Sequence, residues 1–142
     1  MLKFFVYLPI SRCQLSKEVE IMKKSKAMQL VKALRKGGYK QSTHQLVNNN
    51  DEFCCLGVAC NISKQPLEWE EVEGVWFMGK AWGALPKEIQ EEFGFYSDVG
   101  RRRDGKDIVI NGTTYSSLAR ANDGGCTFEQ IADYIEKNWE ML

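Results

Sequence analysis

The sequence predicts one α+β domain with three helices, near 25–36, 86–93 and 128–139, packed on a small antiparallel sheet. Three local signals carry that reading. Asn111-Gly112 between Ile108-Val109-Ile110 and Thr113-Thr114-Tyr115 spells a two-residue hairpin, because Asn and Gly accept the positive φ angles of a type I′ turn. Thr127 with Gln130 three residues on spells a capping box at a helix start. Ala27, Leu30, Val31 and Leu34 share one helical face, and Gly37-Gly38 ends that helix.

The remaining elements follow in order. Ser25 is the expected N-cap of the first helix, and Lys32, Arg35 and Lys36 suit the negative end of its dipole. Tyr39 to Val47 is polar and β-tolerant, and fits a strand or an ordered loop. Asn48-Asn49-Asn50-Asp51 reads as a turn. Phe53 to Ile62 is the most apolar stretch. It has no clean period, so a helix and a buried strand both fit, with Asp51 as a cap favouring the helix. Val72-Glu73-Gly74-Val75 is a candidate hairpin turn. Pro86 suits the first position of a short helix with Ile89 and Phe93 on one face, closed by Gly94. In the last helix Phe128, Ile131, Ile135 and Trp139 form the buried face beside Tyr134, and Cys126 with Ile131 suits a hydrophobic staple.

Composition narrows the function classes. Nineteen basic residues balance nineteen acidic ones, which counts against a dedicated nucleic-acid binder. No apolar run is long enough to span a bilayer, and five cysteines without an export signal read as reduced and intracellular, in a bacterial cytoplasm. The apolar MLKFFVYLPI start is short and runs into Arg12-Cys13 with no small-residue cleavage site, so it does not read as a signal peptide. Lys17-Glu18-Val19 is encodable as AAG-GAG-GTN, which contains a bacterial ribosome-binding sequence, and Glu20-Ile21 then spaces it from Met22. Residues 1–21 are therefore expected to be a non-native leader, upstream DNA read as protein, or else an extension. Residues 22–142 are expected to form the domain, with four cysteines.

Several motifs invite a chemical reading. Cys54-Cys55 ahead of an apolar segment suits a thiol nucleophile at a helix start, with His44, the only histidine, as base and Asn122 or Asp123 to orient it. Cys54, Cys55, Cys60 and His44 are also a candidate zinc set, though without the paired C-x2-C spacing of a zinc knuckle. Arg101-Arg102-Arg103, with Lys106 nearby, suits phosphate groups of a nucleotide or nucleic acid. Tyr39, Gln41, His44, Trp76 and Trp82 are candidates for an aromatic pocket with polar handles. Asn122-Asp123-Gly124-Gly125 suits a turn that binds a ligand or cation. Each motif also has a plain reading. Buried cysteine acts as a small hydrophobe, tryptophan fills cores, and charge runs stand in solvent.

Tyr39-Lys40-Gln41, Phe53-Cys54-Cys55-Leu56-Gly57-Val58-Ala59-Cys60, Leu85-Pro86, Asn122-Asp123-Gly124 and Thr127-Phe128-Glu129-Gln130-Ile131-Ala132 together resemble a group of small uncharacterised phage and prophage proteins. The group's pattern is roughly YxQ, FCCLGVLCD, LP, LND and TFxxIAxxIE. This chain departs from it at Ala59, Asn61 and Ala121, where the pattern has Leu, Asp and Leu. The resemblance spans about residues 22–139. It implies a phage or prophage origin and a start near Met22, and it supplies no catalytic residue. The leading expectation is a non-enzymatic accessory protein that binds a host protein or small ligand, with no cofactor, and counteracts a host defence. The alternatives are a small cysteine- or zinc-dependent enzyme and a nucleotide or nucleic-acid binder.

Overall fold

The computed structural model describes residues 22–142. The leader reading of residues 1–21, and Cys13 with it, lies outside the described residues.

The chain opens with α1 (Lys24–Lys36), which buries Ala27, Leu30, Val31 and Leu34. Its N-cap is Lys23 rather than Ser25. Lys23 offers no side-chain cap, and its own N–H is taken up by the Phe93 carbonyl at 3.0 Å, which ties the start of α1 to the end of the 87–93 helix. Beyond α1 the chain makes a short parallel ladder from β1 (Lys40–Gln41) and β2 (Glu52–Phe53). α2 (Cys55–Ile62) follows at once and buries every residue from Cys55 to Cys60. The cap of α2 is Cys54, whose sulfur accepts the Gly57 N–H at 3.3 Å. Asp51, the cap expected from sequence, sits instead at φ 56° in the turn before β2.

β3 (Trp69–Val72) and β4 (Val75–Met78) form an antiparallel hairpin, with Glu73 and Gly74 both at positive φ. α3 (Lys87–Phe93) has Pro86 one position earlier than expected, at the cap itself, and ends on Gly94 at φ 77°. β5 (Ile108–Ile110) and β6 (Thr113–Tyr115) make the expected hairpin, with Asn111 and Gly112 at positive φ. α4 (Leu118–Asp123) is capped by the Ser117 hydroxyl, and α5 (Phe128–Asn138) by the full Thr127/Gln130 capping box. A 3-10 turn over Trp139–Met141 closes the chain, and Leu142 is buried.

The domain is thus α+β, but its arrangement differs from the expected one. Among the described residues there are five α-helices rather than three. The strands form three separate two-stranded ladders, one of them parallel, instead of one antiparallel sheet. Of the two further helices, α2 settles the 53–62 stretch as the favoured helix and not a strand, and α4 is the one without a sequence expectation. α2 is apolar all round because it is enclosed on all sides, so it shows no amphipathic period. α4 is six residues long, too short for a period to register, and ends in Asn-Asp, which favour turns.

Two polar ties fasten the helices. On the surface Arg35 of α1 spans three acids of α5, with Glu129 and Glu136 at 3.0 Å and Asp133 between them. Exposed pairs of this kind contribute little individually. More consequential is Glu92 on α3, whose side chain is only 7% exposed. It pairs with Lys26 of α1 at 2.8 Å and accepts from the Ser63 hydroxyl at 2.8 Å, the Lys64 N–H and the Gln65 amide. Burial pushes its pKa up, and these four donors together outweigh that, so the carboxyl titrates below its usual range. A depressed folded pKa makes the unfolded chain the better proton binder. The stabilisation is therefore present above the ordinary glutamate pKa of about 4.3 and is lost as pH falls through the folded value. Glu92→Gln is expected to lower stability by about 2–3 kcal/mol at pH 7 and much less at pH 3. Thermal melts of both proteins across that pH range read the difference; parallel curves would contradict it.

Candidate functional site

The motif residues meet where β1, the start of α2 and the α4–α5 turn converge. Asn122 stands in the last turn of α4, not in the loop expected from sequence; Ser117 caps the start of that helix and Gly124 closes it. Its side chain is buried, at 1% exposure. Asn122 Oδ1 accepts the Gln41 amide at 2.9 Å and the Cys55 backbone N–H at 3.1 Å, while its amide donates to the Ser42 carbonyl at 2.7 Å. Gln41 continues the network. Its Nε2 also donates to the Cys126 carbonyl at 2.7 Å, and its Oε1 accepts the Phe128 N–H at 3.1 Å, one of the open donors at the start of α5. Asp123 accepts the His44 backbone N–H at 2.8 Å, holding a histidine whose φ is 73°. One junction thus joins the Tyr39–Gln41, Cys54–Cys55, Asn122–Asp123 and Cys126–Phe128 segments.

The thiols at this junction serve the fold. Cys54 caps α2, and the Cys55 sulfur lies 3.7 Å from the Leu118 carbonyl, to which it donates. Burial pushes the Cys54 pKa up to about 11 and the Cys55 and Cys60 thiols up as well. All three are therefore protonated at neutral pH, the unreactive form of cysteine. His44 is exposed, and among the described residues no hydrogen bond joins its ring to Cys54 or Cys55. The described residues likewise include no group of three or more His, Cys, Asp or Glu arranged to hold a metal ion, so the structure does not bring Cys54, Cys55, Cys60 and His44 together as a ligand set.

The aromatic candidates divide between separate partners. Tyr39 packs edge-on to Phe53, whose ring meets Trp69 in turn, with centroids 5.0 and 6.1 Å apart. Asn61 spans this row by donating to the Tyr39 hydroxyl and accepting from the Trp69 indole. Trp76 is half-buried and donates to Asn49 at 2.9 Å. Trp82 is 50% exposed. Phe53, Trp69 and Asn61 are the members that sequence reading missed.

The arginine loop is partly built into the fold. Arg102 forks onto Asp104 at 3.0 and 2.6 Å and donates to the Tyr134 hydroxyl at 2.8 Å. The fork holds the Asp104 carboxyl well below its usual range. The Arg103 guanidinium lies over the Tyr96 ring, 5.6 Å from its centre. Arg101 is exposed. All three line a cavity of about 340 Å3 with Tyr96, Lys106 and Asp107. The Arg-x-Asp spacing was the one sequence signal for this fork.

These features define a small α+β domain whose most distinctive motifs are spent on its own interior. The chain belongs to the family described as a domain of unknown function (DUF8296), which it matches over residues 22–139. No curated protein and no solved structure matches it. Among the described residues no helix is long and apolar enough to cross a membrane.

Proposed function

We propose that this is a non-enzymatic phage or prophage accessory protein that works in the bacterial cytoplasm by binding a host protein, with counteraction of a host defence as its purpose. The observation that carries the reading is the full use of the motif polar groups inside the fold. Asn122, Gln41 and the Cys54 and Cys55 thiols are hydrogen-bonded and enclosed, which leaves the surface for recognition.

The β3–β4 hairpin offers the surface best suited to a protein. Val72 is 47% exposed on it, and Trp82, just beyond it, is 50% exposed. Glu68, Glu70, Glu71 and Glu73 are exposed nearby and have no ion-pair partner among the described residues. Exposed apolar groups rimmed by acids suit a partner with an apolar anchor site and a basic border.

A photo-crosslinking residue placed at position 72 or 82, in the bacterial host, tests this. The same host protein is expected from both positions and not from position 32, an exposed site on α1. Equal labelling from all three positions, or none above background, would overturn the proposal.

A further inference from the structure

The arginine-loop cavity adjoins a second one, with two lining residues in common. A cavity of about 430 Å3 between the β5–β6 hairpin and α5 shares Arg102 and Asp107 with the first, and is also lined by Asn111 and Lys137. Arg102, fixed by Asp104 and Tyr134, lines both. Each is within the size range of small-ligand sites, and the two adjoin as the parts of a polar cleft with Arg102 and Asp107 common to both.

The charges in the cleft are uneven. Among the described residues Arg101, Lys106 and Lys137 line it without an ion-pair partner. Among the described residues Asp107 is the lining carboxylate without an ion-pair partner, since Asp104 pairs with Arg102 and Asp133 with Arg35. Three open cations around a concave wall favour an anion, and most of all a group with several acceptor oxygens. Asp107 sets the second requirement. It repels an anion placed beside it, but accepts hydrogen bonds from hydroxyl groups.

We propose that this cleft binds a hydroxylated phosphomonoester, a sugar phosphate or a nucleotide, with the phosphate on Arg101, Lys106 or Lys137 and a hydroxyl on Asp107. The site stands apart from the β3–β4 surface and does not rest on the host-protein reading.

Calorimetric titration of the purified full chain with ribose 5-phosphate, AMP, inorganic phosphate and adenosine tests it. Either phosphomonoester is expected to bind more tightly than inorganic phosphate, and adenosine least, with affinity falling as salt is raised. Arg101→Ala, Lys106→Ala and Lys137→Ala each remove an exposed charge with no ion-pair partner among the described residues, and their melts check that they remain folded. At least one of them is expected to weaken binding about tenfold, the scale of one charge-assisted contact. Asp107→Asn is expected to tighten inorganic phosphate and shrink the preference for the sugar phosphate. No binding of either phosphomonoester overturns the proposal, and so does affinity unchanged in all three cation variants. Inorganic phosphate bound as tightly as ribose 5-phosphate would overturn the hydroxyl requirement.

Discussion

Replacing Asn122 with alanine is expected to cost about 3–4 kcal/mol, a large share of the stability of a domain this size. The residue is 1% exposed and makes three hydrogen bonds from one amide group. Alanine would strand the Cys55 N–H and the Ser42 carbonyl, and the residue's burial keeps water from replacing the lost partners easily. Each stranded group costs about 1–3 kcal/mol, with the lower part of that range applying where relaxation admits some water. Gln41 would keep its bonds to Cys126 and Phe128, so the start of α5 would be loosened and not released. Asn122→Asp is expected to destabilise as well, because a carboxylate cannot donate to the Ser42 carbonyl and would hold a buried charge. Urea denaturation of the three proteins measures this. An alanine variant within 1 kcal/mol of the parent would show that the junction is not a stabilising tie.

Gly57→Ala is the second large effect, and its sign opposes helix propensity. In an ordinary helix the change would stabilise by about 1 kcal/mol. Here a Cβ at position 57 would lie 1.8 Å from the Leu46 carbonyl oxygen and 2.7 Å from its carbon. The obstacle is backbone, and it is held from both sides. The Leu46 carbonyl accepts the Cys54 N–H at 3.1 Å, and the Leu46 N–H donates to the Trp82 carbonyl at 2.7 Å. Neither α2 nor the 46–47 segment can withdraw without breaking these bonds. A net loss of about 3 kcal/mol or more is expected, about 10 °C or more in melting temperature. Equilibrium denaturation and a thermal melt check it, and a variant as stable as the parent would mean that the two segments are not in such close contact.

The glycine also gives the Phe53–Cys60 motif a physical meaning. From sequence the cysteine pair drew attention as a nucleophile or a metal ligand. In the folded chain Cys54 is a helix cap, Cys55 a buried thiol on the Leu118 carbonyl, and Gly57 the point of closest backbone approach. The motif packs the interior, with its cysteines and glycine at the points of closest approach.

Elements stabilised by neighbours along the chain were legible before folding. Asn111-Gly112 sets its hairpin by its own φ preferences, Thr127 and Gln130 cap α5 across three residues, and Gly94 ends α3. The stripes of α1 and α5 likewise name the residues they bury, because each helix is apolar on one face alone; the exception is Trp139, which lies in the turn after α5 and is only half-buried. Such signals lie within one or two turns of chain, where sequence and structure coincide.

The candidate site was legible as residues but not as an arrangement. Gln41 and Asn122 were both singled out from sequence, yet their bond spans 81 positions, and the Cys55–Asn122 bond spans 67. Lys26 and Glu92, 66 positions apart, left no trace in either local pattern. The pairing of Arg102 with Tyr134, and the cleft that Arg101, Lys106, Asp107 and Lys137 share, depend on how the loop after α3 lies against α5. By itself the sequence determined an α+β domain, the Thr127 capping box, the glycine stop of α3, the hairpin turns and the buried faces of α1 and α5, while the caps of α1 and α2 fell on Lys23 and Cys54 instead of Ser25 and Asp51. Only the tertiary structure decided that the motif polar groups face one another inside the fold. The physical reason is that caps and turns are satisfied by adjacent residues, whereas a buried amide or a cleft charge takes its partners from segments that only packing brings together.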